Sequence, residues 1–185
     1  SGTNTGVYVG LTNRDYYDYL KGQDIEVDAE MAFGNNLSFL VNRVSYQFNL
    51  KGPSEVVDTL CSSSLTAIHK AVNDLRHGHC DMAIAGGISV IMSPSLSIAF
   101  TKAGMLSEDD KCKTFDADAN GFVRGEGSGA IILKPLSKAL EDGDRIYALI
   151  KGTAINHGGR ANTLTTPNLN AQAEVVQNAI IDANI

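Results

Sequence analysis

The chain has 185 residues, of which 43% are hydrophobic and 19% are charged, the proportions of an ordinary globular protein with enough material for one core. The formal net charge of −6 argues against a nucleic acid partner, because phosphate binding needs clustered lysine and arginine. Cys61, Cys80 and Cys112 form neither a disulfide framework nor a zinc-binding spacing. A reducing cytoplasm is therefore expected.

One long uncharged stretch covers residues 82–100. Its length approaches the about 20 residues that a membrane-spanning helix needs. The stretch also contains Gly86-Gly87, four serines and Pro94, which together are typical of a buried strand, a turn and a new helix. We therefore expect no membrane span.

Apolar spacing and turn residues predict strands that alternate with helices along the chain. The predicted strands cover residues 5–11, 54–58, 81–85, 127–135 and 146–155. The predicted helices cover residues 15–21, 37–49, 62–76, 94–103, 135–141 and 170–183, and a polar surface loop is expected at residues 23–30. This alternation indicates a layered α/β fold with a largely parallel sheet.

Cys61 lies where a predicted strand, residues 54–58, meets a predicted helix, in which apolar residues recur at positions 65, 68, 72 and 75. The three serines at 62–64 can cap this helix, because a hydroxyl oxygen accepts from an unpaired backbone N–H. A thiol near the positive end of a helix dipole is favoured as the thiolate, which attacks carbonyl carbon. We therefore interpret Cys61 as a nucleophile rather than as a buried structural cysteine.

Three other patterns lack a feature that their chemistry requires. The histidines and the cysteine within residues 77–80 stand at a helix end without a fourth metal ligand near in sequence. The glycine run at residues 125–129 precedes a predicted strand, whereas a dinucleotide-binding loop follows one. His69 is eight residues from Cys61, about 12 Å along a helix, which is too far for it to act as a base.

Residues 116–121 begin like a calcium-binding loop, with acidic or amide side chains at loop positions 1, 3 and 5 and glycine at position 6. Such loops need a bidentate glutamate at position 12. Here position 12 is Gly127, and Glu126 falls one residue short. No metal site is predicted.

His157 lies in a glycine-flanked loop, residues 156–160, directly after the predicted strand at residues 146–155. A histidine in such a loop is a candidate base for a Cys-His dyad with Cys61. From the residues alone, this assignment stays open.

Two long motifs carry a family resemblance. The stretch VDTLCSSSL at residues 57–65 resembles the nucleophile motif of β-ketoacyl synthases, the condensing enzymes of fatty-acid and polyketide assembly. The block KCKTFDADANGFVRGEG and its continuation to TTPN, residues 111–168, resemble the ketosynthase domains of modular polyketide synthases. Leu60 stands where many fatty-acid relatives have a smaller residue, which favours the polyketide type.

The resemblance implies a thiolase-like fold in which two similar halves pack as α-β-α-β-α layers, with this chain covering most of the N-terminal half. Because the family's domain is more than twice this long, residues 1–185 are expected to be part of one domain, incomplete at both ends. The helix at residues 37–49 and the strand at residues 54–58 would lie at a homodimer interface, where pairing between subunits hides a strand edge.

The resemblance also implies the chemistry. Cys61 would accept an acyl chain from the phosphopantetheine arm of an acyl carrier protein, and decarboxylative condensation with a malonyl thioester would follow. The two histidines for condensation belong to later family motifs, so this chain alone would be inactive. No cofactor or metal is expected on the chain itself. A non-condensing scaffold that binds or passes acyl groups is the alternative.

The remaining family positions are assigned by resemblance. His157 matches a variable position in a loop that borders the acyl channel, which argues against its role as a base. Four residues of the same loop would line that channel: Thr165, Thr166, Pro167 and Asn168. Asp116, Arg124 and Glu126 would form an ion-pair network that shapes the floor near Cys61.

Overall fold

The computed structural model describes residues 1–23 and 28–185, and its centre is one mixed sheet. The strands are Thr5–Gly10 (β1), Ser54–Val57 (β2), Met82–Ser89 (β3) and Gly127–Leu133 (β4). Their spatial order is β2-β1-β3-β4, with β1 parallel to both β2 and β3 and with β4 antiparallel to β3. The sheet is largely parallel, as predicted. The carboxyl ends of β1, β2 and β3 therefore meet at one edge.

Seven α-helices are formed by the described residues. They are Asp15–Lys21 (α1), Ala29–Gly34 (α2), Leu37–Phe48 (α3), Ser63–Arg76 (α4), Ser95–Lys102 (α5), Leu136–Glu141 (α6) and Leu169–Asp182 (α7). All the predicted helices are confirmed to within a few residues. The exception to the predicted pattern is α2, whose first residues fall in the expected loop at 23–30. Asp28 caps α2 by accepting the Met31 N–H at 2.7 Å, and residues 24–27 lie outside the described residues.

The main core lies between α4 and the sheet. Tyr8 of β1 is fully buried there, and it packs with small residues of α4 and β3, namely Ala67, Ala71, Ala83 and Ala85. Alanines at these positions let the helix approach the strands closely. The Tyr8 hydroxyl donates to Asp74 of α4, so the buried phenol has a partner. Burial raises the pKa of the Tyr8 hydroxyl, with the Asp74 bond acting in the same direction.

The uncharged stretch at residues 82–100 forms β3, a turn and the start of α5, as predicted. The boundary of α5 differs by one residue from the expectation. Pro94 is the cap residue rather than the first helical residue, and Ser93 Oγ accepts the Ser95 N–H at 3.2 Å. None of the helices described is long and apolar enough to cross a bilayer.

The predicted strand at residues 146–155 is wrong. The segment has no strand assignment, because no described strand lies alongside to complete a ladder. Side chains hold it instead. The Thr153 N–H donates to Asp182 of α7 at 2.8 Å, and the Lys151 carbonyl accepts from Arg76 of α4 at 3.1 Å. A β-prone sequence is thus held here without being paired in a sheet.

Candidate active site

Cys61 lies on a short 3₁₀ turn, Leu60–Ser62, between the end of β2 and the start of α4. Its side chain is exposed. The preceding residue, Leu60, has a φ of 54°, in the left-handed region that leucine rarely adopts. Such a conformation costs about 1–3 kcal/mol and persists only where the surroundings enforce it. The structure therefore confirms the strand-to-helix corner and adds a strained residue directly before the cysteine.

Ser63 has a different role from the helix cap that the sequence suggested. Its buried hydroxyl accepts the Thr59 N–H at 2.9 Å and donates to the Leu60 carbonyl at 2.6 Å. The cap residue Ser62 makes no side-chain bond to the free N–H groups of α4 and donates instead to the Thr59 carbonyl at 2.9 Å. The two hydroxyls thus stabilise the corner rather than the helix end.

Asp58 holds the same corner from the other side. Its Oδ1 accepts the Leu60 N–H at 3.2 Å and the Thr12 hydroxyl at 3.0 Å. Because Thr12 follows β1, this carboxylate ties the corner to the neighbouring strand. This role of Asp58 was not predicted from the sequence, although an aspartate shortly before a turn residue is a common turn signal.

Neither of the two histidines considered as a base forms a hydrogen bond with Cys61. Within residues 1–23 and 28–185, no hydrogen bond involves the Cys61 sulfur or its backbone N–H. His69 lies with Nδ1 3.1 Å from Thr153 Oγ1, and burial lowers its pKa. His157 Nδ1 accepts the Gly159 N–H at 2.9 Å. His69 thus links α4 to the distant Thr153, and His157 stabilises its own loop.

The expected ion-pair network of Asp116, Arg124 and Glu126 is not formed. Arg124 instead lies 3.8 Å from the buried Asp15 and donates to Ser97 at 2.7 Å. The other two carboxylates accept backbone N–H groups, Asp116 from Asp118 at 2.9 Å and Glu126 from Ile91 at 2.5 Å. Each of the three residues fixes a different part of the chain.

In the calcium-like loop, the ammonium group of Lys113 contacts the oxygen atoms that could otherwise face a metal ion. The Lys113 ammonium lies 2.9 Å from Asp109 Oδ1 and 2.7 Å from Asn120 Oδ1. The bonds from Lys113, Ser107 and Asn120 hold the pKa of Asp109 well below its usual range. In the described part of the chain, no group of three metal-binding side chains comes together.

His157 and three other predicted channel residues line one cavity of about 260 Å³, the others being Thr166, Pro167 and Asn168. Asn168 closes the loop, because its Nδ2 donates to the Gly158 carbonyl at 2.8 Å while its Oδ1 caps α7. Thr165 does not line the cavity, and its hydroxyl lies 3.4 Å from that of Thr163. The structure thus brings most of the predicted channel residues together.

A second cavity, of about 270 Å³, was not predicted from the sequence. It is lined by residues that follow β1 and β3, including Leu11, Val90 and Met92, and by Leu37 and Leu40 of α3. Because Gly10 is in register with both Val57 and Gly87, this cavity opens at the same sheet edge as Cys61. Its residues are far apart in sequence, so no local pattern could reveal it.

An exposed cysteine at a strand–helix corner of a mixed sheet is suited to thioester chemistry, because a thiolate readily attacks carbonyl carbon. Comparison with known families gives a narrower assignment. The chain belongs to the β-ketoacyl synthase family: residues 1–139 match the family's N-terminal domain and residues 147–185 its C-terminal domain. The chain thus includes residues of both domains, beyond the N-terminal half that was expected.

Solved structures confirm the thiolase-like α/β fold. The ketosynthase from module 6 of the bacillaene synthase of Bacillus subtilis matches with a TM-score of 0.90 and 38% identity, over 99% of this chain and 30% of that one. The oxazolomycin ketosynthase domain of Streptomyces albus matches with a TM-score of 0.89 and 39% identity, over 99% of this chain and 32% of that one.

Curated relatives are polyketide synthases. PksN of Bacillus subtilis is 52% identical over 185 residues, and ThaG of Burkholderia thailandensis is 47% identical over 182 residues. The chain spans 3% of the length of each of these two relatives.

Proposed function

We propose that this chain is the acyl-accepting part of a polyketide ketosynthase and that Cys61 is its nucleophile. The observation that carries the proposal is the exposed Cys61 thiol on a strained corner, directly before the 14-residue helix α4. A helix of this length directs a partial positive charge at its N-terminus, which stabilises a thiolate there. The family membership supports the same role.

The proposed reaction is a thioester exchange. The Cys61 thiolate attacks the carbonyl carbon of an acyl thioester on the phosphopantetheine arm of an acyl carrier protein. The tetrahedral oxyanion accepts a hydrogen bond from the Cys61 N–H, a preorganised donor. Collapse breaks the bond between the carbonyl carbon and the pantetheine sulfur, whose thiolate leaves and takes up a proton. The acyl group remains on Cys61.

Condensation follows in the proposed cycle. A malonyl carrier thioester loses CO₂, and the resulting carbanion displaces the Cys61 sulfur from the acyl carbonyl to give a β-ketoacyl product. By family resemblance, two histidines from later motifs assist this step. The comparisons with polyketide ketosynthases favour this condensing function over a non-condensing acyl scaffold.

We assign the two cavities to the acyl carrier substrate. The apolar cavity lined by Leu37, Leu40 and Met92 takes the acyl chain, because it opens at the same sheet edge as Cys61. The His157 loop cavity borders the entry path of the pantetheine arm. Thr165 supports the same loop, because its hydroxyl lies 3.4 Å from the hydroxyl of Thr163. The Asp116, Arg124 and Glu126 contacts support nearby loops and take no part in the chemistry.

The proposed assembly is a homodimer that works with an acyl carrier protein in the cytoplasm. β2 lies at one end of the sheet, so one of its edges is available to a second copy. A reducing compartment suits the chemistry, because Cys61 must remain a free thiol, and all three cysteines are free in the structure.

Peptide mass spectrometry of the full-length protein tests the acyl-transfer step. After incubation with an acyl-pantetheine thioester, the acyl mass is expected on the peptide with Cys61 and is expected to be absent from a Cys61→Ala variant. Cys112→Ala is the matched control and should load normally. Loading of Cys61→Ala would refute the proposal.

Adding a malonyl carrier thioester to the loaded protein then distinguishes the two functions. Loss of the acyl adduct with formation of a β-ketoacyl product supports condensation. A loaded enzyme that forms no product supports the non-condensing scaffold.

A further inference from the structure

We propose that Ser63 and Asp58 are positioning residues that aim the Cys61 backbone N–H at the oxyanion. The inference rests on the proposed acyl transfer to Cys61 and concerns a different question, which is what sets the direction of the donor. The residues that carry it surround Leu60, whose φ of 54° places the Leu60–Cys61 peptide in an orientation that leucine does not favour.

The geometry of the peptide bond links Ser63 to the Cys61 donor. The carbonyl of Leu60 and the N–H of Cys61 belong to one planar peptide unit and point in opposite directions. The Leu60 carbonyl accepts two bonds from Ser63, one from the hydroxyl at 2.6 Å and one from the backbone N–H. Fixing this carbonyl therefore fixes the direction of the Cys61 N–H on the other side of the same unit.

Asp58 fixes the other side of Leu60. Its Oδ1 accepts the Leu60 N–H at 3.2 Å, while the Ser63 hydroxyl also accepts the Thr59 N–H at 2.9 Å. The two peptide units flanking Leu60 are thus held at the same time, and these units define its φ and ψ. Because Ser63 is only 6% exposed, water competes poorly for the two bonds of its hydroxyl, whereas the bond from Leu60 to Asp58 is exposed.

Thr12, which follows β1, anchors the clamp that Asp58 and Ser63 form around Leu60. Thr12 donates to Asp58 Oδ1 at 3.0 Å, and its hydroxyl lies 3.3 Å from Ser63 Oγ. The clamp therefore fixes the Leu60–Cys61 peptide relative to β1, an inner strand of the sheet. What Asp58 supplies is a hydrogen-bond acceptor, so its charge is not required for this role.

The first experiment compares two reactions of Cys61 in the full-length protein. Acylation by an acyl-pantetheine thioester develops an oxyanion, whereas alkylation by iodoacetamide does not. In Ser63→Ala we expect acylation to slow by about tenfold or more, since a misaligned donor loses much of its effect, and alkylation to stay within about twofold. Ser64→Ala is the control, because the Ser64 hydroxyl makes no hydrogen bond to the described residues. Equal slowing of both reactions, or unchanged acylation in Ser63→Ala, overturns the inference.

A second set of variants tests the mechanism without removing Ser63. Asp58→Asn keeps an acceptor oxygen and should acylate at nearly the wild-type rate, whereas Asp58→Ala should be slow. Equal rates for these two variants count against the clamp.

A double variant tests the role of Leu60. Glycine adopts the left-handed region without strain, so Leu60→Gly combined with Ser63→Ala should recover part of the acylation rate lost in Ser63→Ala. A double variant that is no faster than Ser63→Ala contradicts the role of Leu60 strain. If the wild-type protein does not acylate at Cys61, the proposed function fails instead.

Discussion

Gly10 and Gly87 are paired in the parallel ladder between β1 and β3, and both face the first turn of α4. A Cβ atom on Gly10 would lie 2.6 Å from the Ser63 carbonyl carbon, and one on Gly87 would lie 2.8 Å from the Ser64 Cβ. The absence of two side chains thus lets the helix that follows Cys61 approach the sheet. The position of Cys61, the proposed nucleophile, depends on this pair of glycines.

Gly10→Ala should therefore displace the start of α4. Overpacking of this kind costs about 1–3 kcal/mol of folding free energy. We expect lower stability in denaturant unfolding together with slower acylation of Cys61. Gly129→Ala is the control in the same sheet, because a Cβ there would meet no atom within 4 Å. An alanine at position 10 that leaves both properties unchanged contradicts the packing argument.

The three cysteines should differ in their reactivity with iodoacetamide. Cys80 is 2% exposed, and burial raises the pKa of its thiol, so it should react last. Cys112 is exposed, but it lacks a helix N-terminus, and its sulfur accepts the Val123 N–H at 3.1 Å. We therefore expect Cys61 to be labelled first at limiting reagent, as measured by peptide mass spectrometry. Preferential labelling of Cys112 would contradict this order.

Tyr8→Phe should destabilise the protein with little change in packing. The substitution removes the hydroxyl that donates to Asp74 and leaves that carboxylate with His79, 3.0 Å away, as its remaining side-chain partner. A lost hydrogen bond of this kind costs about 1–2 kcal/mol. Denaturant unfolding of the two proteins measures the difference. Tyr16→Phe, on the exposed side of α1, should be neutral, and equal losses for both variants would refute the assignment.

The Arg76–Asp182 ion pair should make stability depend on pH in the acid range. The Arg76 guanidinium, followed by the Thr153 N–H, lowers the pKa of Asp182 from its usual value of 3.8. A depressed carboxyl pKa contributes stability that is present above pH 3.8 and is lost as the pH falls through the lower, folded value. The difference in melting temperature between wild type and Arg76→Ala should therefore be full at neutral pH and shrink below about pH 4.

Lys138→Ala is the control for that measurement, because the pair of Lys138 with Glu141 is exposed on both sides. Its effect on the melting temperature should be small at every pH, as expected of a surface ion pair. A pH-independent difference for Arg76→Ala would show that the guanidinium acts through packing rather than through Asp182.

Local sequence patterns predicted the structural features that depend only on residues close together in the chain. The helix Asp15–Lys21 and the corner at Cys61 follow from apolar spacing and from turn residues within about ten positions. The partner of Arg124 could not be found in this way, because Asp15 lies 109 positions earlier in the chain. The family resemblance had grouped Arg124 with Asp116 and Glu126 instead.

The unpaired segment at residues 146–155 shows the same limit for secondary structure. Its β-prone side chains determine a local conformation, but a strand also needs a neighbour in register, which sequence spacing does not provide. The direction of the Leu60–Cys61 peptide was likewise beyond prediction. It depends on hydroxyl and carboxylate bonds from Thr12, Asp58 and Ser63, and their geometry is set only when β1 and α4 pack together.

The ammonium of Lys113 has a consequence for how its loop responds to the medium. A bound ion leaves when its concentration falls, whereas a covalently attached charge is always present at the same local concentration. The loop around Asp109 and Asn120 should therefore keep its shape in chelating buffers and across changes in divalent ion supply. The loop therefore needs no divalent ion to hold these contacts.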